Sequence, residues 1–344
     1  MTKDIGALGI RYITDKITAG EPLEIVPGIL LLRLSMPFAL DHINVYLLKE
    51  NDGWTLIDCG INTPITQTDW NMALDSRFLR GSRITKIVAT HHHPDHVGLA
   101  GWIANKFDVP LLMSKGEFEV ADRYSNPKRD VVLERIQFWQ EHGLPHELRN
   151  EVMDNMPRYT KNVVPLPKNI ELIDTNAPIE MGGRLWTIIT GRGHSPEHLS
   201  FFNARDDILI SGDQILPKIT PNISVWPNGD QNPLNSYLTS IQQFSSLGKD
   251  PIILPSHKIP MRGLKVRVSE LCANHKLKLA ILLDALHTSK NCYEILPALF
   301  NRNLNLAELS FGLGEGVAHL NYLVATGLAT TELNQDGCTT YKAK

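Results

Sequence analysis

Short apolar runs separated by turn residues open the chain, and this pattern predicts a β-meander. The turn Asn51-Asp52-Gly53 separates two such runs and is typical of a hairpin. The first half is predicted to contain strands at 28–35, 43–49 and 54–57, a helix at 64–79, a buried strand at 84–89, a histidine-rich loop and a helix that starts near Val97. Because strand, loop and helix follow in this order, the loop side chains are expected at the C-terminal edge of a sheet.

A second block of strands follows a segment of different character. Residues 115–160 combine helical periodicity with many charges, and they are predicted to form a helical insertion. Later elements are predicted at 184–190, 199–203, 207–211 and 252–254 for strands, and at 234–247 for a helix. Two blocks of strands, each followed by helices, predict a sandwich of two sheets with helices outside.

The last part of the chain shows helical patterns at 264–286, 293–300 and 306–328, followed by a β-hairpin at 329–341. This order predicts a winged-helix-like C-terminal domain at 263–344, after a catalytic domain at 1–262. The apolar residues of the third helix recur every three or four positions, at Leu306, Leu309, Leu313, Val317, Leu320 and Leu323. They suffice to bury one face, so we expect this helix to pack against the catalytic domain or a second subunit.

Composition and charge exclude several classes of protein. With 42% apolar and 21% charged residues in 344, the chain is globular and not disordered. Its 34 basic and 37 acidic residues leave no overall positive field for nucleic acid or a membrane surface. The four cysteines are widely spaced, and residues 1–6 do not resemble the start of an export signal. These features predict a cytoplasmic protein that does not enter a membrane.

The strongest chemical signal is the segment Thr90-His91-His92-His93-Pro94-Asp95-His96, directly after a predicted strand. On one turn, His91 and His93 can converge on one divalent ion, while Asp95 and His96 face a second. A solvated histidine-rich turn is the ordinary alternative, but so many ligand-type side chains rarely serve packing. His92 is expected to point away.

Three further residues fall where later predicted strands end: His194, Asp213 and His257. Each alone is typical of an ordinary surface side chain, but together they complete two coordination shells. The order H-x-H-x-D-H, His, Asp, His resembles the metallo-β-lactamase superfamily, and the resemblance covers residues 30–262. It implies an α+β fold, the four-layer αβ/βα metallo-β-lactamase sandwich.

The resemblance also implies roles for these residues. The metal ligands are assigned to a first ion held by His91, His93 and His194, a second ion held by Asp95, His96 and His257, and Asp213 as the bridge between them. Two divalent ions, zinc with iron or manganese as alternatives, would lower the pKa of a bridging water and make hydroxide the nucleophile. Asp58 matches the family's strand-end aspartate, which orients a ligand imidazole. Its alternative role is to start the turn before Gly60.

One stretch departs from the family pattern. Ser256-His257-Lys258 stands where the family usually has Gly-His-Gly, and serine does not readily adopt a positive φ. We therefore expect a different backbone in the loop of the second ion. His198, four residues after His194, is expected to be structural.

Two functions remain open for such a site. The first is hydrolysis of an acyl substrate, a thioester, ester or lactone. The second is endoribonuclease activity, because the tail resembles the lactamase-beta-like-2 branch, which includes a mitochondrial endoribonuclease. The third predicted helix carries Glu308 and Glu315 and no Lys or Arg, which disfavours nucleic-acid binding. A basic patch of Lys128, Arg129 and Arg135 would favour it, but a solvated helix face is the more ordinary explanation of these charges.

The remaining predictions concern a small-molecule substrate. The insertion is expected to cover the metal cleft as a lid. Candidate substrate contacts are His42, Arg158 and Tyr159, while Trp139 is either a contact or part of the core. A homodimer is the expected assembly if the tail packs against a second copy.

Overall fold

The computed structural model describes residues 9–14, 16–125, 129–155 and 158–344. The strands are β1 (Arg11–Tyr12), β2 (Leu23–Val26), β3 (Ile29–Ser35), β4 (His42–Lys49), β5 (Trp54–Ile57), β6 (Ile84–Val88), β7 (Leu111–Met113), β8 (Ile170–Leu172), β9 (Ile179–Met181), β10 (Arg184–Gly191), β11 (His198–Asn203), β12 (Ile208–Gly212), β13 (Ile252–Pro255), β14 (Met261–Arg262), β15 (Lys290–Asn291), β16 (Ala329–Leu333) and β17 (Thr339–Ala343). The helices are α1 (Pro64–Leu74), α2 (Pro94–Val97), α3 (Ala100–Phe107), α4 (Lys115–Ser125), α5 (Arg129–Glu141), α6 (His146–Asn155), α7 (Tyr159–Asn162), α8 (Pro233–Ser240), α9 (Leu264–Ala285), α10 (Cys292–Phe300) and α11 (Leu306–Ala325), with a 3₁₀ helix at Ile241–Ser246. Residues 1–6, Lys128 and the side chain of Arg129, all considered above, lie outside the described part.

Two seven-stranded sheets form the centre of the molecule. Their orders are β2-β3-β4-β5-β6-β7-β8 and β1-β14-β13-β12-β11-β10-β9. Each sheet contains a parallel pair in its middle, β5 with β6 and β12 with β13. Parallel strands carry the chain to the same edge of a sheet, so the loops that follow them lie close together.

The alternation of apolar side chains along β3 explains the layers. Leu30 and Leu32 pack in the same cluster as Trp70 of α1, whereas Leu31 packs in the cluster that contains Trp186 of β10. Successive side chains of a strand point to opposite faces, so one face of the sheet meets helices and the other meets the second sheet. The predicted α+β fold, a four-layer αβ/βα sandwich, is confirmed.

Several predicted boundaries were wrong. The first helix was predicted to extend to Leu79 but ends at Leu74. Leu79 lies in a turn beyond the helix, and its side chain is buried there, which explains why the apolar pattern continues. The helix predicted at 234–247 continues beyond Ser240 as a 3₁₀ helix, and α11 ends at Ala325. Seven short strands were missed, since two to four residues are too few for a periodic signal: β1, β2, β7, β8, β9, β14 and β15.

The insertion and the C-terminal region share a core. Trp139 of α5 is fully buried in one cluster with Leu296 of α10 and Leu313 and Val317 of α11. Trp139 is therefore a core residue and not a substrate contact. The chain from residue 264 onward consists of three helices and the sheet β15-β17-β16, and α11 packs against the insertion helix α6.

Candidate metal centre

The candidate ligands lie in loops that follow the central strands. His91 and His93 follow β6, His194 follows β10, Asp213 follows β12 and His257 follows β13. Pro94 occupies the first turn of α2, where its missing N–H costs no hydrogen bond, so the helix starts directly after His93. The short helix brings Asp95 and His96 to the same place.

The structure brings all seven predicted ligands together. One group contains His91, His93, His194 and Asp213, and the other contains Asp95, His96 and His257; within each group the ligand atoms lie within 4.8 Å of one another. Asp213 faces both groups, because its Oδ2 lies 3.3 Å from His194 Nε2 and its Oδ1 lies 3.4 Å from His257 Nε2. A carboxylate in this position can bridge two cations.

The chemistry of the donors fits divalent metal binding. His96 is fully buried, and among the described residues its Nε2 has no hydrogen-bond partner. That atom lies 3.7 Å from Asp95 and 3.6 Å from Asp213. A buried polar atom without a partner is costly unless something binds it. Imidazoles with carboxylates suit zinc, iron or manganese.

The two groups differ in their electrostatics. Burial, reinforced by the neighbouring imidazoles, holds the pKa values of His91 and His93 well below the ordinary value. Both rings are therefore neutral, which is the form that binds a metal. Burial also opposes charge on His257, but the carboxylates of Asp213 and Asp95 outweigh it and raise its pKa to about 10. The second group thus attracts positive charge.

Asp58 is placed to orient a candidate ligand. Its Oδ2 accepts a hydrogen bond from His96 Nδ1 at 2.8 Å, which leaves His96 Nε2 directed towards the centre. Its Oδ1 accepts from the backbone N–H of Thr90 at 2.8 Å. The backbone of Asp58 has a φ of 60°, so this residue adopts the left-handed conformation at the end of β5.

Glu117, which the sequence analysis missed, holds two ligand loops together. This buried residue of α4 accepts hydrogen bonds from the backbone N–H of His92 at 3.0 Å and from Ser195 Oγ at 2.6 Å. It also contacts His92 Nδ1 at 2.5 Å and Glu197 N at 2.7 Å. His92 thus points away from the candidate ligands, as expected. Nothing in the local sequence marks Glu117, which is one of many acids in a charged insertion.

His42 supports the loop of His257. Its backbone carbonyl accepts a hydrogen bond from His257 Nδ1 at 2.8 Å, and its Nε2 accepts from the N–H of Lys258 at 3.0 Å. His42 is not among the described residues that line the cavity beside the centre. The ring and the carbonyl of His42 are both engaged with this loop, so His42 positions it, and its contact with substrate stays a prediction.

The departure from the family's glycines has a local solution. Lys258 adopts a φ of 70°, whereas the φ of Ser256 is negative. The Ser256 hydroxyl donates a hydrogen bond to Oδ1 of Asp213. The loop therefore keeps a left-handed residue without glycine, and it adds a donor to the carboxylate between the two groups. His198 is also structural: its Nε2 accepts from the N–H of Asp213 at 3.0 Å.

Another unpredicted set of contacts links His194 to the C-terminal region through Asn222. His194 Nδ1 donates to the backbone carbonyl of Asn222 at 2.9 Å. The side chain of Asn222 contacts Glu315 of α11, and Glu315 pairs with Lys278 of α9 at 2.6 Å. These residues are far apart in the sequence, so no local pattern could have linked them.

A cavity of about 910 Å³ lies beside the centre. His93 and His194 form part of its wall, and the insertion contributes Arg158 and Tyr159, the other two predicted substrate contacts. The Tyr159 hydroxyl donates to the carbonyl of His92 at 2.8 Å, so this residue also holds the ligand loop. Arg158 is exposed. Phe311 of α11 lines the cavity as well, so three parts of the chain enclose it.

Comparisons with known proteins agree with this geometry. Residues 39–257 match the model of the Metallo-beta-lactamase superfamily, and residues 279–344 match that of the Metallo-beta-lactamase-like, C-terminal domain. Probable metallo-hydrolase YqjP of Bacillus subtilis is 25% identical over 323 residues, which cover 88% of this chain and 94% of the relative.

Two solved structures are similar over nearly the whole chain. A Beta-lactamase domain protein from Burkholderia ambifaria has 33% identity and a TM-score of 0.84, covering 96% of this chain and 98% of that one. The metallo-beta-lactamase family protein TTHA1429 from Thermus thermophilus has 26% identity and a TM-score of 0.81, covering 93% and 100%. Within the described ranges, no helix is long and apolar enough to cross a membrane. The chain belongs to the metallo-beta-lactamase superfamily and is a metal-dependent hydrolase.

Proposed function

We propose that the protein hydrolyses an acyl substrate, a thioester, ester or lactone, at a centre of two divalent cations. His91, His93 and His194 would hold one cation, Asp95, His96 and His257 would hold the other, and Asp213 would be shared between them. The observation that carries the proposal is the position of Asp213, whose two oxygens lie 3.3 Å from His194 and 3.4 Å from His257. Zinc is the proposed metal, with iron and manganese as alternatives.

The protein residues position the reaction. When bound, the cations lower the pKa of a water molecule and polarise the scissile carbonyl. Asp58 fixes the ring of His96, and the carbonyls of Asn222 and His42 fix the rings of His194 and His257. The side chain of Asp95 is 22% exposed against 10% for Asp213. Asp95 is the more exposed of the two carboxylates, and in this proposal it takes a proton from the attacking water and passes it to the leaving group.

The net charge of the chain and the burial of α11 favour an acyl substrate over a nucleic acid. The formal net charge is −3, and α11 carries Glu308 and Glu315 but no Lys or Arg. Most residues of α11 from Leu309 to Leu323 are buried, so this helix has no free face for a groove of nucleic acid. Binding to nucleic acid depends largely on basic side chains that displace counterions from the phosphates, and α11 has no such side chain.

A parallel assay tests the proposal. Purified protein loaded with Zn²⁺, Mn²⁺ or Fe²⁺ is given an acyl thioester, an acyl ester, a lactone and single-stranded RNA, with Asp213→Ala as the control. We expect turnover of at least one acyl substrate, which the control lacks. Cleavage of RNA alone, again lost in Asp213→Ala, would instead establish the endoribonuclease alternative.

A further inference from the structure

The cavity beside the metal centre has an apolar wall that is open to solvent. Phe311 of α11 and Val132 of α5 are 40% and 44% exposed, and both line this cavity. Phe311 meets Trp226 edge to face, with 5.8 Å between the ring centroids. Exposed apolar side chains gathered in a concave site mark a binding surface. This part of the cavity is therefore suited to an apolar group.

The same cavity has excess positive charge near the ligands. Of its acids, Glu119 pairs with Lys115 at 3.8 Å, and Asp230 accepts hydrogen bonds from Asn232 N and Ser236 Oγ. Among its arginines, Arg123 pairs with Glu134 at 2.5 Å. The two acids of the cavity are thus paired or hydrogen-bonded with residues near them in the chain, and neither pairs with a described arginine of the cavity.

Arg158 and Arg192 differ from the other arginines of the cavity. Both are exposed, and the ion pairs of the described residues include neither of them. Arg192 Nη1 donates one hydrogen bond to the backbone carbonyl of Pro196 at 3.1 Å, which leaves its other N–H groups for a ligand. Arg192 is two residues before His194, and Arg158 precedes Tyr159, whose hydroxyl contacts the loop of His92. Both arginines line the cavity and belong to segments joined to the ligand loops. A guanidinium binds a carboxylate through two parallel hydrogen bonds.

We propose that the substrate is an amphiphilic acyl ester or thioester with a carboxylate within a few bonds of the scissile carbonyl. Its acyl chain lies between Val132, Trp226 and Phe311, and its carboxylate lies at Arg158 and Arg192. In the reaction the oxygen of water bonds to the acyl carbon and the C–O or C–S bond breaks. One proton of the water passes to the leaving group, and the new carboxylic acid releases the other. The proposal rests on the acyl-hydrolase function proposed above.

Binding of compounds that cannot be hydrolysed tests the substrate class without turnover. The probes are (octylthio)acetate and its neutral amide, titrated calorimetrically into the zinc-loaded enzyme. We expect the carboxylate to bind about tenfold more tightly than the amide, as for a hydrogen-bonded ion pair. The double variant Arg158→Ala, Arg192→Ala should lose most of this preference, and Arg158→Lys should retain part of it.

A second variant tests the apolar wall. Phe311→Ala should weaken binding of both probes by about tenfold, because the contact of the octyl chain with the ring is lost. Arg205→Ala, which changes an exposed arginine outside the cavity, should change neither affinity. Equal binding of the two probes, or a preference that survives in the double arginine variant, would overturn the proposal.

Turnover separates this inference from the proposed function. S-octanoyl thioglycolate, its amide and octanoyl-coenzyme A are compared as substrates, the last carrying its phosphates far from the thioester. We expect the highest kcat/KM for the thioglycolate. Faster hydrolysis of octanoyl-coenzyme A would contradict a carboxylate near the scissile bond. If the probes bind as expected but no thioester, ester or lactone is hydrolysed, the acyl-hydrolase function fails and the amphiphilic binding site stands.

Discussion

The side-chain amide of Asn222 donates a hydrogen bond to the carboxylate of Glu315, at a distance of 3.2 Å. The same residue accepts a hydrogen bond from His194 through its backbone carbonyl. The C-terminal region therefore holds a candidate metal ligand through one intermediate residue. The buried Glu315 carboxylate is itself fixed by the ammonium group of Lys278.

Glu315→Ala should weaken metal binding, because it releases Asn222 and with it the ring of His194. We expect a loss of affinity of about tenfold, the lower end for residues that orient ligands. Competition with a chromogenic chelator measures the affinity, and the absorption spectrum of the Co²⁺-loaded protein reports on the ligand geometry. Glu332→Ala, on an exposed strand of the same region, is the matched control. An unchanged affinity in Glu315→Ala would show that Asn222 holds its position alone.

The wild-type protein should bind about two transition-metal ions per chain, since seven ligand-type side chains surround the centre. Asp213→Ala should bind fewer and lose activity, because two cations without a shared carboxylate repel each other. Elemental analysis after loading with Zn²⁺ and removal of the excess measures both proteins. Less than half an equivalent in the wild type would rule out a centre of two ions.

Asp58→Asn should reduce kcat/KM by about 10- to 100-fold while leaving the protein folded. An amide can still contact His96 Nδ1, but it does not supply the negative charge that strengthens the imidazole as a ligand. Steady-state kinetics at saturating metal measures the loss. A defect as large as that of Asp213→Ala would mean that Asp58 itself touches the reacting groups.

Two buried histidines of the C-terminal region should make the fold sensitive to acid. Burial, together with the neighbouring His319, lowers the pKa of His275 to about 3, and burial lowers that of His319 to about 4. Both are neutral in the folded protein, while an unfolded histidine takes up a proton near pH 6.5. The unfolded state therefore binds more protons below pH 6.5, and stability falls as the pH drops.

His275→Phe should remove about half of this sensitivity. Between pH 7.5 and pH 5 the free energy of unfolding should fall by about 2 kcal/mol less in the variant than in the wild type. Urea unfolding at the two pH values provides the measurement, and effects of the metal centre are common to both proteins. Parallel curves for the two proteins would contradict the assignment of neutral histidines.

Ser256→Ala should weaken the second metal site, since the Asp213 carboxylate loses the hydroxyl donor beside it. We expect about tenfold lower affinity for one of the two ions and little change for the other. Ser256→Thr, which keeps a hydroxyl, should behave like the wild type. Equal behaviour of the alanine and threonine variants would show that this hydrogen bond has no part in metal binding.

The sequence was informative where a signal is local. The ligands of the His91 loop lie within six positions, and His194, Asp213 and His257 each follow a strand that its apolar pattern reveals. Strand ends of two packed sheets meet at one edge, so the fold class and the cluster could be predicted together. The order of these residues along the chain matches the ligand order of the family, and the comparisons confirm that family.

Apart from Asp58, the residues that hold the ligand loops could not be predicted. Glu117 contacts His92 across 25 positions, and Glu315 contacts Asn222 across 93. Such pairs depend on how helices outside the sandwich dock, and no periodic pattern encodes that docking. His42 is a different case. Its place in the sequence predicted a contact with substrate, and the structure shows hydrogen bonds from the loop of His257 to both its ring and its carbonyl.

Helix α4 has one face that supports the ligand loops and the core and another that lines the cavity. Glu117 and Ala121, one turn apart, are buried against the ligand loops and the core, whereas Val120 and Arg123 face the cavity. A substitution on the cavity face leaves the hydrogen bonds of Glu117 in place. Substitutions on the cavity face can therefore change the substrate preference in related chains. Substitutions on the buried face would disturb the metal centre, so selection acts against them.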